Sequence, residues 1–240
     1  LITANLGSGN LNGGNVADES VSLSYRNASF NAFASYNGRY LDGYRNNYLY
    51  SRQTLANDSV VVLDQNREGT DLNAGHTARL GFDWTMKHNR SIAFSSTASM
   101  GQRDRTGDLW NTRYSEDALG SLYATSLWQR VSYDPSNQKN IDFNLNFRQN
   151  FKSNRGYLTA DATHSIGIDM IQGFYDQLQY SLDTVELSMI APLSQRLSNH
   201  ESSRVTTLQA DGVYLWPDQS IRTEFGAKGI VRHQVVDTYS

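Results

Sequence analysis

The stretch Leu208 to Arg232, LQADGVYLWPDQSIRTEFGAKGIVR, decides how the rest of the chain is read. Leu208, Ala210, Gly212 and Tyr214 alternate with Gln209, Asp211 and Val213. After the tight turn Trp216-Pro217-Asp218-Gln219, Ile221, Thr223, Phe225, Ala227 and Val231 alternate with Arg222, Glu224, Lys228 and Arg232. A period of two belongs to the β-strand, whose successive side chains point to opposite faces. One face is apolar and the other ionic. A soluble sandwich could bury the apolar face against a second sheet. Arg, Glu, Lys and Arg on the opposite face suit a barrel with lipid outside and water inside better.

Composition agrees with that reading. The chain has 240 residues and no cysteine, which is enough for one large β domain and gives no disulfide framework or thiolate metal site. Only 38% of residues are hydrophobic and the mean hydropathy is -0.57. No window approaches the roughly 18 to 20 apolar residues of a membrane helix, whereas a barrel strand needs apolar residues only at alternate positions. A net charge of -3 with mixed signs leaves no electrostatic footprint for nucleic acid. At the start, Ile2, Ala4 and Leu6 already alternate with Thr3 and Asn5, and Val235 to Tyr239 still look extended. The expectation is an interior piece of a longer polypeptide.

The same alternation recurs along the chain. Val21, Leu23 and Tyr25 alternate with Ser22, Ser24 and Arg26; Phe30, Ala32, Ala34 and Tyr36 return against Asn31, Ser35, Asn37 and Arg39. Asn37-Gly38 could form a hairpin turn, but Tyr36, Gly38 and Tyr40 keep phase across it and favour one long strand. Ala78, Leu80, Phe82, Trp84 and Met86 oppose Arg79, Gly81, Asp83 and Thr85, and Ile92, Phe94, Ala98 and Met100 oppose Ala93, Ser95, Thr97 and Ser99. Ile141, Phe143, Leu145 and Phe147 oppose Asp142, Asn144, Asn146 and Arg148; Leu158, Ala160, Ala162, His164 and Ile166 oppose Thr159, Asp161 and Thr163.

Between these strands the sequence reads as connection. Gly7 to Gly14 is a glycine and asparagine loop without the Gly-Lys-Ser/Thr ending of a phosphate-binding loop. Tyr40, Tyr44, Tyr48 and Tyr50 are the exception and read as strand propensity plus an interfacial aromatic girdle, in preference to a sugar-stacking platform. Asp64, Asn66, Glu68 and Gly69 resemble the start of a calcium loop, but Gly75 stands where its bidentate Glu belongs, so a polar surface loop is expected. Arg103 to Asp117 reads as a charged loop without metal-ligand spacing. Leu122 to Tyr133 is ambiguous and is interrupted at Asp134-Pro135-Ser136-Asn137. Residues 171–203 read as an extended loop or a short helix.

Tight turns centred on Asn27, Asn89, Asn154 and Asp218 lie 62, 65 and 64 residues apart. Each interval holds an outgoing strand, a long polar stretch and a returning strand. Short turns at one end and long connections at the other are the asymmetry of outer-membrane barrels.

Ser22-Leu-Ser-Tyr-Arg26 followed by Phe30-Asn-Ala-Phe33, then Arg79-Leu-Gly-Phe-Asp-Trp84, then Leu208-Gln-Ala-Asp211 with Trp216-Pro217 and Phe225-Gly-Ala-Lys-Gly229, resemble in order and spacing the outer-membrane β-barrel family related to TonB-dependent receptors, common in the Bacteroidetes. The resemblance covers most of the chain. It implies an all-β, transmembrane, up-and-down antiparallel barrel of about 22 strands, present here as nine or ten of them across residues 1–240. It implies too that the plug domain and the remaining strands lie outside this sequence. It further implies uptake of an unidentified ligand with no bond broken and no cofactor. Its expected partners are outer-membrane lipid, a TonB-type energy-coupling protein and a surface lipoprotein.

The lumen face would then carry Arg26, Asp83, Asp142, Arg148, Asp161, Asp211, Arg222, Glu224 and Lys228. Charges that merely solvate the inner wall are the bland alternative for each. A structural, secretion or surface-binding barrel is the second reading, and a soluble carbohydrate-binding sandwich a weaker one. An enzyme is not expected, because His76, His88, His164, His200 and His233 are scattered along the chain.

Overall fold

The computed structural model describes residues 1–11, 14–55, 59–117, 119–152, 155–182, 189–216 and 221–239. They form nine strands: β1 (Ile2–Leu11), β2 (Gly14–Arg26), β3 (Phe30–Thr54), β4 (Val60–Met86), β5 (Arg90–Glu116), β6 (Leu122–Asn150), β7 (Gly156–Tyr180), β8 (Met189–Leu215) and β9 (Arg222–Tyr239). All nine lie in one sheet in sequence order, each antiparallel to the next. The sheet is open, with β1 and β9 at its edges. This is the up-and-down architecture of part of a β-barrel.

Register carries the alternation across the whole sheet. Leu23 stands opposite Ala34, Phe30 opposite Trp84, Phe82 opposite Phe94, Phe94 opposite Leu145, Leu145 opposite Ala162, Ala162 opposite Leu208, and Leu208 opposite Gly229. Directly opposed residues share a face, so the apolar stripes of all these strands merge into one apolar face. Cross-strand ring contacts knit it together: Phe30 and Phe82 stack at 6.0 Å, and Phe82 and Phe94 meet at 5.8 Å. Yet its large side chains stay open, Trp84 at 47% and Phe225 at 54% exposure, and among the described residues the only buried hydrophobic side chain is Val62. A sandwich would cover this face with a second sheet. The described strands make a single sheet, which corrects the sandwich reading.

The tight turns fall where the sequence places two of them. Asn27 Oδ1 accepts hydrogen bonds from the amides of Ser29 (3.0 Å) and Phe30 (2.8 Å), turning β2 into β3. Between β4 and β5, His88 and Asn89 take positive φ angles of 65° and 57°, a region Asn and His enter more readily than bulky residues do. The turns expected at Asn154 and Asp218 lie outside the described residues, although Phe151, Tyr214 and Trp216 gather at that end of the sheet with edge-on ring contacts of 5.9 and 5.7 Å.

The expected long polar connections are themselves strand. Gly7 to Leu11 belongs to β1 and Gly14 opens β2, and Asp64 to Gly69 lies inside β4, so neither a calcium loop nor a surface loop is present there, while Tyr40 to Tyr50 lies inside β3, in keeping with the strand propensity of its aromatics. Arg103 to Glu116 completes β5 instead of forming a charged loop. Leu122 to Asn137 is the outer half of β6, and most of 171–203 divides between β7 and β8. Asn37-Gly38 is mid-strand, as the phase of Tyr36 and Tyr40 requires. Most of these segments do not set an apolar face against a polar one, so the sequence pattern fades while the backbone ladder continues. A 27-residue strand such as β4 reaches about 90 Å at about 3.3 Å per residue, while a membrane crossing takes roughly 9 to 11 residues.

Pro135 sits inside β6. Pairing with β7 holds at Tyr133 with Phe174 and at Ser136 with Ile171, and lapses at the two positions between. Proline has no amide hydrogen to give the ladder, so the loss is local and the register survives.

Candidate functional site

Following register through the sheet, all nine residues expected to line a lumen fall on the face opposite the apolar one. They do not converge. Asp83 accepts from Asn31 Nδ2 at 3.1 Å, and Asp161 from Asn146 Nδ2. Arg148 lies 4.9 Å over the Tyr157 ring and donates to Asn150, and Asp211 accepts from Gln209 at 2.6 Å. Arg222 and Glu224 form an exposed ion pair at 2.5 Å, while Lys228 stands opposite Gln209. Arg26 stands opposite Asn31, and Asp142 opposite Thr97 and Ser165. They are small local pairs strung from β2 to β9.

The polar face is hollowed. A cavity of about 670 Å³ is lined from β1 to β6 by residues including Asn5, Asp18, Arg39, Gly75, Gly101 and Gln138. A second, of about 420 Å³, runs on from the same Gly101 and Gln138 to Arg103, Asp169 and Glu201. Gly75 and Gly101 are paired across β4 and β5, and a Cβ at either would meet nothing within 4 Å, so open wall lies between the charged rows. The apolar face has its own groove of about 580 Å³, where Ala160, Ala162, Ala210 and Ala227 present short side chains.

The densest charge cluster lies farther from the tight turns. On the apolar face the greasy band ends at His76 in β4, Gln102 in β5 and Lys139 in β6. Beyond that level, β3 to β6 sort their charges by face. The polar face carries Arg39, Arg45, Arg67, Arg103, Arg105, Arg113 and Arg130 against Asp71 and Asp134. The other face carries Asp42, Asp64, Glu68, Asp104, Asp108 and Glu116 against Arg52 and Lys139. In this part of β3 to β6 the sheet is basic on one side and acidic on the other.

Asp71 is the hub of the basic side. It accepts from Arg103 Nε at 2.8 Å and Nη2 at 2.6 Å, and from Arg105 Nη2 at 3.3 Å, with Arg45 Nε 3.9 Å away. The hydrogen-bonded Arg103 guanidinium holds its carboxyl well below the usual carboxylate range, at about 2, against the opposing effect of burial; the charge of Arg105 adds to the shift. Burial pushes the Arg45 guanidinium below its ordinary value, and Arg105, Arg67 and Arg103 push the same way while Asp71 opposes them. One carboxylate cannot neutralise this group. At about 6 Å and an effective dielectric near 20, two like charges repel by about 3 kcal/mol, and solvent exposure lowers that to about 1 to 2. The Nε atoms of Arg45 and Arg105 are removed from solvent and make no hydrogen bond among the described residues.

Sequence reasoning missed Arg45, Asp71, Arg103 and Arg105 because it read their segments as an aromatic zone and loops. A usable signal was present: Arg103 and Arg105 continue the odd-numbered polar phase of Ala93, Ser95, Thr97 and Ser99.

The histidines remain apart. His76 Nδ1 shares a 2.7 Å hydrogen bond with Tyr36 Oη, and His164 Nδ1 one of 2.8 Å with Thr206 Oγ1, both on the apolar face. His88 is in the β4–β5 turn.

No protein-family model matches the chain, and no curated protein matches it. Among solved structures it is similar to BauA, the ferric preacinetobactin receptor from Acinetobacter baumannii, at 9% identity over 98% of this chain and 41% of that one, with a TM-score of 0.30. It is also similar to FpvA of P. aeruginosa, solved with heterologous pyoverdines, at 7% identity over 94% of this chain and 49% of that one, with a TM-score of 0.29. TodX, the Pseudomonas putida toluene transporter, follows at 7% identity, 99% and 86% coverage and a TM-score of 0.12. The chain thus spans less than half the length of the first two.

Proposed function

We propose that this chain is a wall segment of an outer-membrane barrel of the TonB-dependent receptor type, taking up a ligand through a water-filled lumen lined by its polar face. The observation that carries this reading is the separation of faces. Across the sheet, the apolar stripes at the tight-turn end share one side, and Arg26, Asp83, Asp142, Arg148, Asp161, Asp211, Arg222, Glu224 and Lys228 share the other. Lipid on the first face and water on the second satisfy both at once. Short turns then face the periplasm, and the long extensions of β3 to β8 stand outside the cell. A plug, an energy-coupling protein, a surface lipoprotein and the Bacteroidetes type rest on the family resemblance alone. The same separation of faces also suits a barrel with a structural, secretion or surface-binding role. Uptake is favoured over it by the hollows on the polar face and by the basic stretch of that face in β3 to β6.

Leu145 and Asn146 are neighbours on opposite faces of β6. Arg at a lipid-facing midplane position costs about 2 to 4 kcal/mol, and far less in a lumen. In the full-length protein folded into detergent or lipid, Leu145→Arg is expected to reduce the heat-modifiable folded band strongly and Asn146→Arg only slightly. Equal losses at the two positions contradict the membrane reading.

A further inference from the structure

We propose that Arg45, Arg67 and Arg105, set on the polar face around Asp71 and Arg103, form a binding site for a polyanionic small ligand, one carrying two or more phosphate or carboxylate groups. The proposal rests on the reading of that face as a water-filled lumen, and deepens it by naming the ligand class.

Three arginines, Arg45, Arg103 and Arg105, reach one carboxylate, and Arg67 lies within electrostatic reach of Arg45. Arg45 comes from β3, Arg67 and Asp71 from β4, and Arg103 and Arg105 from β5. Arg103 takes both Asp71 oxygens, one with Nε and one with Nη2, and is satisfied by that pairing. Arg105 holds Asp71 only at 3.3 Å and Arg45 approaches it only at 3.9 Å, each through one nitrogen, so most of their donor forks point elsewhere. Their Nε atoms, shielded from solvent, make no hydrogen bond among the described residues. Guanidinium forks match phosphate and carboxylate oxygens in pairs, which a lone Asp71 cannot provide for three partners.

The wall is shaped for this. A Cβ on Gly107 would come within 2.8 Å of Ser132 Oγ and 3.4 Å of Arg67 Nη2, so the glycine lets the Arg67 guanidinium lie close against β5. Beside it the β4–β5 pairing lapses between Glu68 opposite Asp108 and Asp71 opposite Arg105, and the Thr70 amide donates to Thr106 Oγ1 instead, at 3.0 Å. Neighbouring basic groups are already engaged: Arg130 lies 4.4 Å over the Tyr175 ring and Arg39 pairs with Asp18 at 3.5 Å. Arg113 also has no ion pair among the described residues but stands farther out, opposite Leu63, so the positive charge nearest Asp71 that is not fully paired is that of Arg45, Arg67 and Arg105.

The test uses the full-length protein in detergent with pyrophosphate as the probe, titrated calorimetrically at low salt. Pyrophosphate is expected to bind, the Arg45→Gln, Arg105→Gln double variant to bind at least tenfold more weakly, and Arg222→Gln, on the same face but remote, to bind like the parent. Arg45→Lys keeps the charge while removing the fork, and is expected to fall between parent and double variant even where the double variant folds poorly. No binding by the parent, or equal binding by the parent and both Arg45 variants, overturns the site. If pyrophosphate does not bind while Leu145→Arg and Asn146→Arg still differ in folding, the anion site fails alone. If that difference is also absent, the lumen reading fails with it.

Discussion

Asp71 shows how a single residue can hold a charged wall together. Its side chain is 17% exposed, and the hydrogen bonds from Arg103 hold its carboxyl well below the usual carboxylate range, at about 2. An unfolded Asp titrates near 3.9, so the folded state holds the ionised form preferentially. Stability from this group is present in full above about pH 4 and is lost as pH falls through about 2. The shift corresponds to about 2 kcal/mol, which screening at Arg103, 43% exposed, reduces to about 1. Asp71→Asn is expected to lower unfolding stability by about that amount at pH 7, with the gap closing towards pH 2 in denaturant titrations. A gap independent of pH would show that packing, not charge, is what the substitution removes.

At the scale of the strand, β6 carries its defect openly. Pro135 removes one amide from the ladder, and the β6–β7 pairing lapses opposite Gln172 and Gly173 before resuming at Ile171. A net hydrogen bond contributes about 0.5 to 1.5 kcal/mol, so amide exchange over residues 171–174 is expected to run roughly two- to tenfold faster than over 161–166. Pro135→Thr should narrow that difference; identical protection in both segments of the parent would contradict it. The same strand shows what the sequence could convey. Ile141, Phe143, Leu145 and Phe147 alternate with polar residues, and their faces could be assigned from the period alone. Leu122 to Asn137 could not be read this way, because water on both sides of a strand removes the contrast between faces. The grouping of the partners of Asp71 was hidden for a different reason. The phase of β5 could place Arg103 and Arg105 on the polar face, but only the registers of β3 with β4 and β4 with β5 bring them to one place with Arg45 and Asp71.

For the whole molecule, the number of strands limits how the sheet can close. Nine strands in an antiparallel meander leave β1 and β9 running in the same direction, at opposite edges. Joining them directly would create one parallel seam, in which hydrogen bonds slant and pair less favourably, and bacterial single-chain barrels have even strand numbers. Leaving them unpaired in hydrocarbon is worse, since each exposed backbone group there costs several kcal/mol. A second copy with the same membrane orientation does not solve the problem: β9 of one copy would again run parallel to β1 of the other. In a ring closed by antiparallel pairs throughout, any strands joining β9 back to β1 would be odd in number. A total of about 22, as the family resemblance implies, meets that condition. In the full-length protein, the amides of Ile2–Leu11 and Arg222–Tyr239 are expected to exchange as slowly as those in the middle of the sheet, and a strand count from its structure should be even. The isolated 240-residue chain in detergent should instead exchange rapidly at both edge strands. Slow exchange at both edges of the isolated chain, with β1 and β9 bonded to each other, would mean that nine strands close by themselves and that the wall described here is a complete small barrel.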